Sequence, residues 1–241
     1  MATTFKTLTA NDIVNTRTLL HEAIPLTGTI ASGTYADQNV KTYSHGMFTS
    51  IFDYPYLSSS ANHIFDIATG FSSNSTLSAS CVSDGSVQIS KKINIYNQMA
   101  QVLMGYDATG SIQEFDEDGD LASGGTKMRE VFFINFARLL GKDELKKGSF
   151  SITFVTGGAP SRFTQTYGTD DGLLTLADHG ASTSYLVNSP AGEYAPLYTS
   201  SVAANAESGY GLLFYQAGVA VVTGAVWANA NANFKSGSAL V

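Results

Sequence analysis

VFFINF, Val131–Phe136, is the stretch that decides the fold. Aromatic and β-branched residues dominate it, which favours a pleated strand. It is apolar on both alternating sides, and a strand of that kind needs cover on both, so it predicts a central strand. Arg138-Leu139-Leu140 reads as its continuation. KDELKKG (Lys142–Gly148) is a polar turn, and SFSITFV (Ser149–Val155) alternates Phe150, Ile152 and Phe154 against Ser and Thr. Two strand patterns around a polar turn predict a hairpin.

Working outward, GYGLLFYQA and GVAVVTGAVW, joined at Ala217-Gly218, predict a second tight hairpin. HIFDIATGF (His63–Phe71) alternates Ile64, Asp66 and Ala68 against Phe65, Ile67 and Thr69, as a half-buried strand does. Shorter strands are expected across 162–198, separated by GTDDG (Gly168–Gly172), His179-Gly180 and Ser189–Gly192. SSNSTLSAS (Ser72–Ser80) reads as a loop, and Asp53-Tyr54-Pro55-Tyr56 as a turn or strand edge.

Two helices are expected. One runs near Asn11–Ala23, on a stripe of Ile13, Thr16, Leu20 and Ala23. The other runs near Lys92–Met104, where Ile93, Tyr96, Met99, Ala100 and Leu103 recur at helical spacing and Gly105 sits at the C-cap. Ile95, Val102 and Met104 widen its apolar face. The expected fold is α+β to mainly β: an antiparallel β-sheet or sandwich with two helices packed on it. Residues 1–228 form a single β-rich domain, with a subdivision near 156–160 as the alternative, and 229–241 form a flexible C-terminal arm.

The chain has 241 residues, 44% of them hydrophobic, enough for a sizeable core. Charged residues make up only 14%, below the usual level of about 25%. Net charge is −7, with 13 Lys and Arg and no basic stripe, so nucleic acid is not an expected partner. No apolar run reaches the roughly 20 residues of a membrane span. MATTFKTLTANDIV lacks the basic start and apolar run of a secretory signal, so synthesis in a cytoplasm without signal-directed export is expected. Cys81 is the only cysteine, which excludes an intrachain disulfide and a multi-cysteine zinc site.

FDEDGD (Phe115–Asp120) concentrates four carboxylates in six residues. Asp116, Asp118 and Asp120 fall at positions 1, 3 and 5 of a calcium-loop pattern. Leu121 stands where that loop needs Gly, and Lys127 where it needs a bidentate Glu, which excludes an EF-hand. A solvated hairpin turn is the preferred reading and a looser calcium turn the alternative. No other cofactor is expected. Adjacent acids in a turn do not give the separated pair that glycoside hydrolysis needs. His21, His45, His63 and His179 form no ligand spacing, and no GxSxG elbow or phosphate loop occurs, so no enzyme is expected. The density of Tyr and Phe over Tyr43–Phe71 reads as interface rather than as a small-molecule platform.

Three long phrases, KTYSHGMFTSIFDYPYLSSSANHIFDIATGFS (Lys41–Ser72), KKINIYNQMAQVLMGYD (Lys91–Asp107) and the run from FDEDGD to SITF (Phe115–Phe154), resemble a group of virion structural proteins of T-even-like, marine cyanophage-type phages with contractile tails. SPAGEYAPLY (Ser189–Tyr198) and GYGLLFYQAGVAVV (Gly209–Val222) are similar to later segments of the same group. The resemblance spans about Thr4–Val226. It implies a tail or baseplate part with no catalytic residues, located in the virion, whose partners are itself and other virion proteins. Tyr54, Tyr56, Phe71, Asn229 and Phe234 are the expected interface residues. A receptor-binding or fibre-type adhesin, a capsid decoration or neck protein, and a hydrolase of the cell envelope are the rival readings.

Overall fold

The structure, a computed structural model, describes residues 40–43, 45–52, 63–79, 87–120, 124–137, 143–155, 173–199 and 209–227. The helix expected over Asn11–Ala23, the Asp53–Tyr56 turn, the Arg138–Leu140 extension, GTDDG, the subdivision near 156–160 and the arm 229–241 lie outside them.

Eight strands build one antiparallel sheet: β1 (Val40–Thr42), β2 (Thr49–Phe52), β3 (His63–Phe71), β6 (Glu130–Phe136), β9 (Leu186–Ser189), β10 (Gly192–Leu197), β11 (Gly211–Phe214) and β12 (Val219–Thr223). Their spatial order is β1-β2-β3-β6-β12-β11-β10-β9. Two small sheets accompany it, β4 (Phe115–Asp116) with β5 (Lys127–Met128), and β7 (Ser151–Val155) with β8 (Leu173–Ala177). The helices are α1 (Thr76–Ala79) and α2 (Val87–Leu103), and a 3-10 turn covers Gly224–Trp227. The fold is therefore the expected mainly β, antiparallel class with few helices.

VFFINF is central, as its two apolar sides require. In β6, Val131 and Phe133 enter one buried cluster with Tyr96, Leu103, Phe115 and Phe214, while Ile134 enters another with Leu145, Leu176, Leu213 and Tyr215. Strand alternation divides every neighbour the same way: Leu212 and Phe214 face the first side, Leu213 and Tyr215 the second. The first, the helix side, is covered by α2 and the β4–β5 hairpin. The second, the hairpin side, is covered by β7–β8, with Ile152, Phe154 and Leu174 packed onto its cluster.

The β11–β12 hairpin forms as expected, with Phe214 opposite Val219 and Gly218 at φ 67°, a left-handed position that glycine adopts freely. The hairpin expected between β6 and β7 does not form. Both edges of β6 are already taken, by β3 with Ile67 opposite Ile134, and by β12 with Ala220 opposite Ile134. β7 turns to β8 instead, and Phe150 just before it packs edge-on against Phe136 at 5.6 Å.

α2 begins at Val87, earlier than expected, and stops where Gly105 (φ 83°) sends its N–H back to the Ala100 carbonyl at 3.0 Å. Tyr96, Ala100, Leu103 and Met104 are buried on the sheet. Val102 is 62% exposed, because it lies away from the stripe through Tyr96, Ala100 and Leu103, so it does not widen the buried face. Gly70 on β3 admits this helix: a β-carbon there would stand 2.8 Å from Phe133 and 3.0 Å from the Tyr96 backbone. Ser72–Ser80 is not all loop, since Ser75 caps the short α1 by accepting from the Leu77 N–H at 3.0 Å.

Candidate functional site

FDEDGD opens the connection of the β4–β5 hairpin. Asp116 and Lys127 are direct cross-strand partners in that hairpin, so opposite charges face each other at its mouth. The Lys127 ammonium is ion-paired with Asp116 Oδ2. Asp116 is fully buried, and its Oδ1 has no hydrogen-bond partner. Gly125, at φ 63°, packs so tightly on this carboxylate that a β-carbon would lie 2.8 Å from both oxygens.

Asp116 and Gly119 are thus withdrawn from solvent, unlike the solvated turn expected from the sequence, whereas Glu117 and Asp118 are half-buried and Asp120 is exposed. The backbone of the turn is pinned to the sheet. Gly119 is buried against Leu186, Pro196 and Leu212. Tyr194 Oη lies 2.7 Å from the Gly119 carbonyl and 2.7 Å from Asn188 Oδ1, so its single proton serves one of these acceptors. Gly209 completes the seat, since a β-carbon there would collide with the Glu117 carbonyl at 1.8 Å. Asp118 Oδ1 accepts the Asp120 N–H at 2.9 Å, a local turn bond of the kind Asp favours.

Asp116, Asp118 and Asp120 do come together: one carboxylate oxygen from each lies within 4.8 Å of the others. The donors are all oxygen, the set a hard cation such as calcium takes. Lys127 already brings positive charge to Asp116, and acidic clusters are common without an ion. The fields in the turn are mutual. Burial pushes the Asp116 pKa up against the pull of Lys127, and the charge on Asp118 adds to the rise. Burial also raises Glu117, helped by Asp116 and Asp118. Burial lifts Tyr194 to about 12, with the Asp120 and Asp118 charges adding to it.

A second buried carboxylate, Asp178, sits on the hairpin side. Its Oδ2 accepts the Gly148 N–H at 2.7 Å and the Tyr215 hydroxyl at 2.9 Å, and its Oδ1 accepts the Phe150 N–H at 2.9 Å. Burial raises its pKa and these three donors pull it back. Nearby, Lys147 Nζ lies 2.5 Å from Glu193 Oε2 and 3.4 Å from Glu144 Oε1, and stands over the rings of Tyr185 and Tyr215. The Tyr215 hydroxyl and the Phe150 N–H thus tie the end of β8 to the sheet and to the start of β7.

Of the expected interface residues, Phe71 ends β3 half-buried opposite Glu130. Tyr54, Tyr56, Asn229 and Phe234 lie outside the described residues. A separate group of rings, half-buried Tyr43 with exposed His45 and Phe48, lies at the turn between β1 and β2. Tyr43 and His45 stack at 5.2 Å, Phe48 tilts against both, and Lys41 Nζ lies 5.2 Å over Tyr43. Lys92 Nζ donates to the Gly46 carbonyl at 2.9 Å, and Lys91 Nζ reaches the His45 carbonyl at 3.5 Å. Sequence reasoning named the aromatic block but missed these lysines, which only the packing of α2 on β3 brings to the turn.

Compared with known proteins, the chain matches no family model, no curated protein and no solved structure.

Proposed function

We propose that the chain is a non-catalytic structural component of a tailed-phage virion, in its tail or baseplate, that assembles with itself and with other virion proteins. The resemblance of Lys41–Phe154 to such proteins motivates the reading. The observation that carries it is where the apolar surface remains. Among the described residues, both faces of the eight-stranded sheet carry packed elements, and five of the seven exposed large apolar side chains lie at its two ends, Val40, Met47 and Phe48 by β1 and Tyr185 and Val187 by β9; the other two, Val102 and Tyr106, lie on α2 and just after it. Exposed apolar groups gathered at sheet ends mark contact sites. The buried polar groups support the same reading: Asp178, Tyr215 and Tyr96 are engaged with backbone or with each other, as structural groups are.

The test is mass spectrometry on density-purified particles made by the genome that encodes the chain, followed by antibody labelling of those particles. Recovery of the chain with label on the tail is the expected result. A chain found only in the lysate sinks the proposal. Light scattering on the purified chain, with calcium and with chelator, checks the acidic turn alongside. Unchanged mass and melting temperature are expected in both, because Lys127 already balances Asp116.

A further inference from the structure

We infer that copies of this chain join head to tail, with β1 of one copy against β9 of the next, so that the sheet continues from subunit to subunit. The inference rests on the assembly reading above and names the surfaces that assembly uses.

Among the described residues, β1 and β9 are the two ends of the sheet. Each of the eight strands is antiparallel to its neighbours, so β1 and β9 run in opposite directions. Placing the next copy beside the first therefore sets β9 antiparallel to β1 and keeps each face of the sheet on its own side. β9 reads LVNS, without the Lys or Pro by which edge strands avoid pairing, while β1 reads VKT, and its Lys41 is the charge that the next copy must meet.

The two ends match face by face. On the helix side, Lys41 of β1 stands opposite Ser50, which stands opposite Asp66, which stands opposite Asn135, in line with Phe133 of the helix-side core. Lys91 and Lys92 from α2 join it at the same end. None of these three lysines is ion-paired among the described residues. At the opposite end, the same side carries Glu117, Asp118 and Asp120, in the turn seated on Leu186 of β9 and Pro196 of β10. Three cations at one end thus face three carboxylates at the other, in a chain that is 14% charged.

On the hairpin side both edge strands present an exposed apolar side chain, and at the β9 end Lys147 also lies over Tyr185. Val40, 41% exposed, aligns through Ile51 and Phe65 with Phe136 of that core. Val187, 67% exposed, follows Leu186, which packs on the helix side, so Val187 points the other way, with Tyr185 alternate to it. A contact between unlike ends is heterologous and generates rings or helical tubes, and the twist of the sheet turns each copy relative to the last.

The test uses the full chain and two charge-reversed variants, Lys41→Glu/Lys91→Glu and Glu117→Lys/Asp120→Lys, in sedimentation and light-scattering concentration series. Asp118 is left in place because its Oδ1 holds the turn. The wild-type chain is expected to form species that grow with concentration and weaken in high salt. Each variant alone is expected to associate at least tenfold more weakly, because its two ends now carry like charge. An equimolar mixture is expected to regain association, since each variant then meets its opposite. Val187→Lys, at a position that is largely exposed, is expected to weaken association without lowering the melting temperature. Variants that associate like wild type, or a mixture that fails to recover, overturn the seam and leave self-assembly standing. A wild-type chain that is monomeric at every concentration overturns both the seam and self-assembly, while the particle analysis decides separately whether it is a virion part.

Discussion

Asp116 on the helix side of the sheet and Asp178 on the hairpin side are both buried carboxylates, yet their oxygens are met differently. Asp178 has two backbone N–H groups and a tyrosine hydroxyl, and neither oxygen is left over. Asp116 has one ammonium at Oδ2 and nothing at Oδ1. The donors of Asp178 are held in place by the folded backbone, whereas the partner of Asp116 is a long, partly exposed side chain. The first arrangement fastens one part of the fold to another. The second keeps a charge at the base of an acidic turn.

The sharpest way to break this contrast is Asp178→Ala. It strands two buried donors, breaks the part-buried bond from the Gly148 N–H, and should lower stability by about 3 kcal/mol, read as a shift of the urea midpoint. Next comes Lys127→Met, which leaves a buried unpaired carboxylate and should cost about 3 kcal/mol at pH 7. That loss should shrink as pH falls. The folded-state pKa of Asp116 already lies above its ordinary value, so the folded state holds a proton over a range where the unfolded state does not. For such a group stability is full below the unfolded pKa and is lost as pH rises through the folded one. Unfolding at pH 7 and again nearer the ordinary carboxylate range measures the effect, and a pH-independent difference would refute it. Tyr215→Phe removes one charge-assisted bond and should cost about 2 kcal/mol. Tyr194→Phe loses a neutral bond at the acidic turn and should cost about 1 kcal/mol. Asp116→Asn should change stability least, by under about 1 kcal/mol, because it removes a poorly satisfied charge and frees a lysine that can reach water. A large loss from Asp116→Asn would mean that the two carboxylates play equivalent roles.

Much of the sheet was legible because the β strands carry their environment in their own residues. VFFINF and VAVVT are apolar on both sides and are buried on both; GLLF joins VAVVT through a local turn. Partner choice is a different matter. Ser149–Val155 has the pattern of a strand, but nothing local says that β6 is already occupied by residues far away in the chain. The burial of Asp116 was not legible for a related reason. A carboxylate in a sequence reads as solvent-facing, and only the pairing of Phe115-Asp116 with Lys127-Met128 reveals its counter-charge. Asp178 was hidden in the same way: Asp178-His179-Gly180 does make a turn, but its carboxylate points inward to donors on another segment.

The strand order also governs how the molecule comes into being. Ile134 of β6 rests between Ile67 and Ala220, so one neighbour of the central strand is made well before it and the other only near the end of synthesis. Pairings so distant along the chain fold slowly, on the order of milliseconds to seconds. While the ribosome is still adding residues, this central, largely apolar strand has one edge without its partner. Until Val219–Thr223 arrives, a nascent chain needs a chaperone, or a dilute environment, to keep that edge from pairing with another copy in the wrong place.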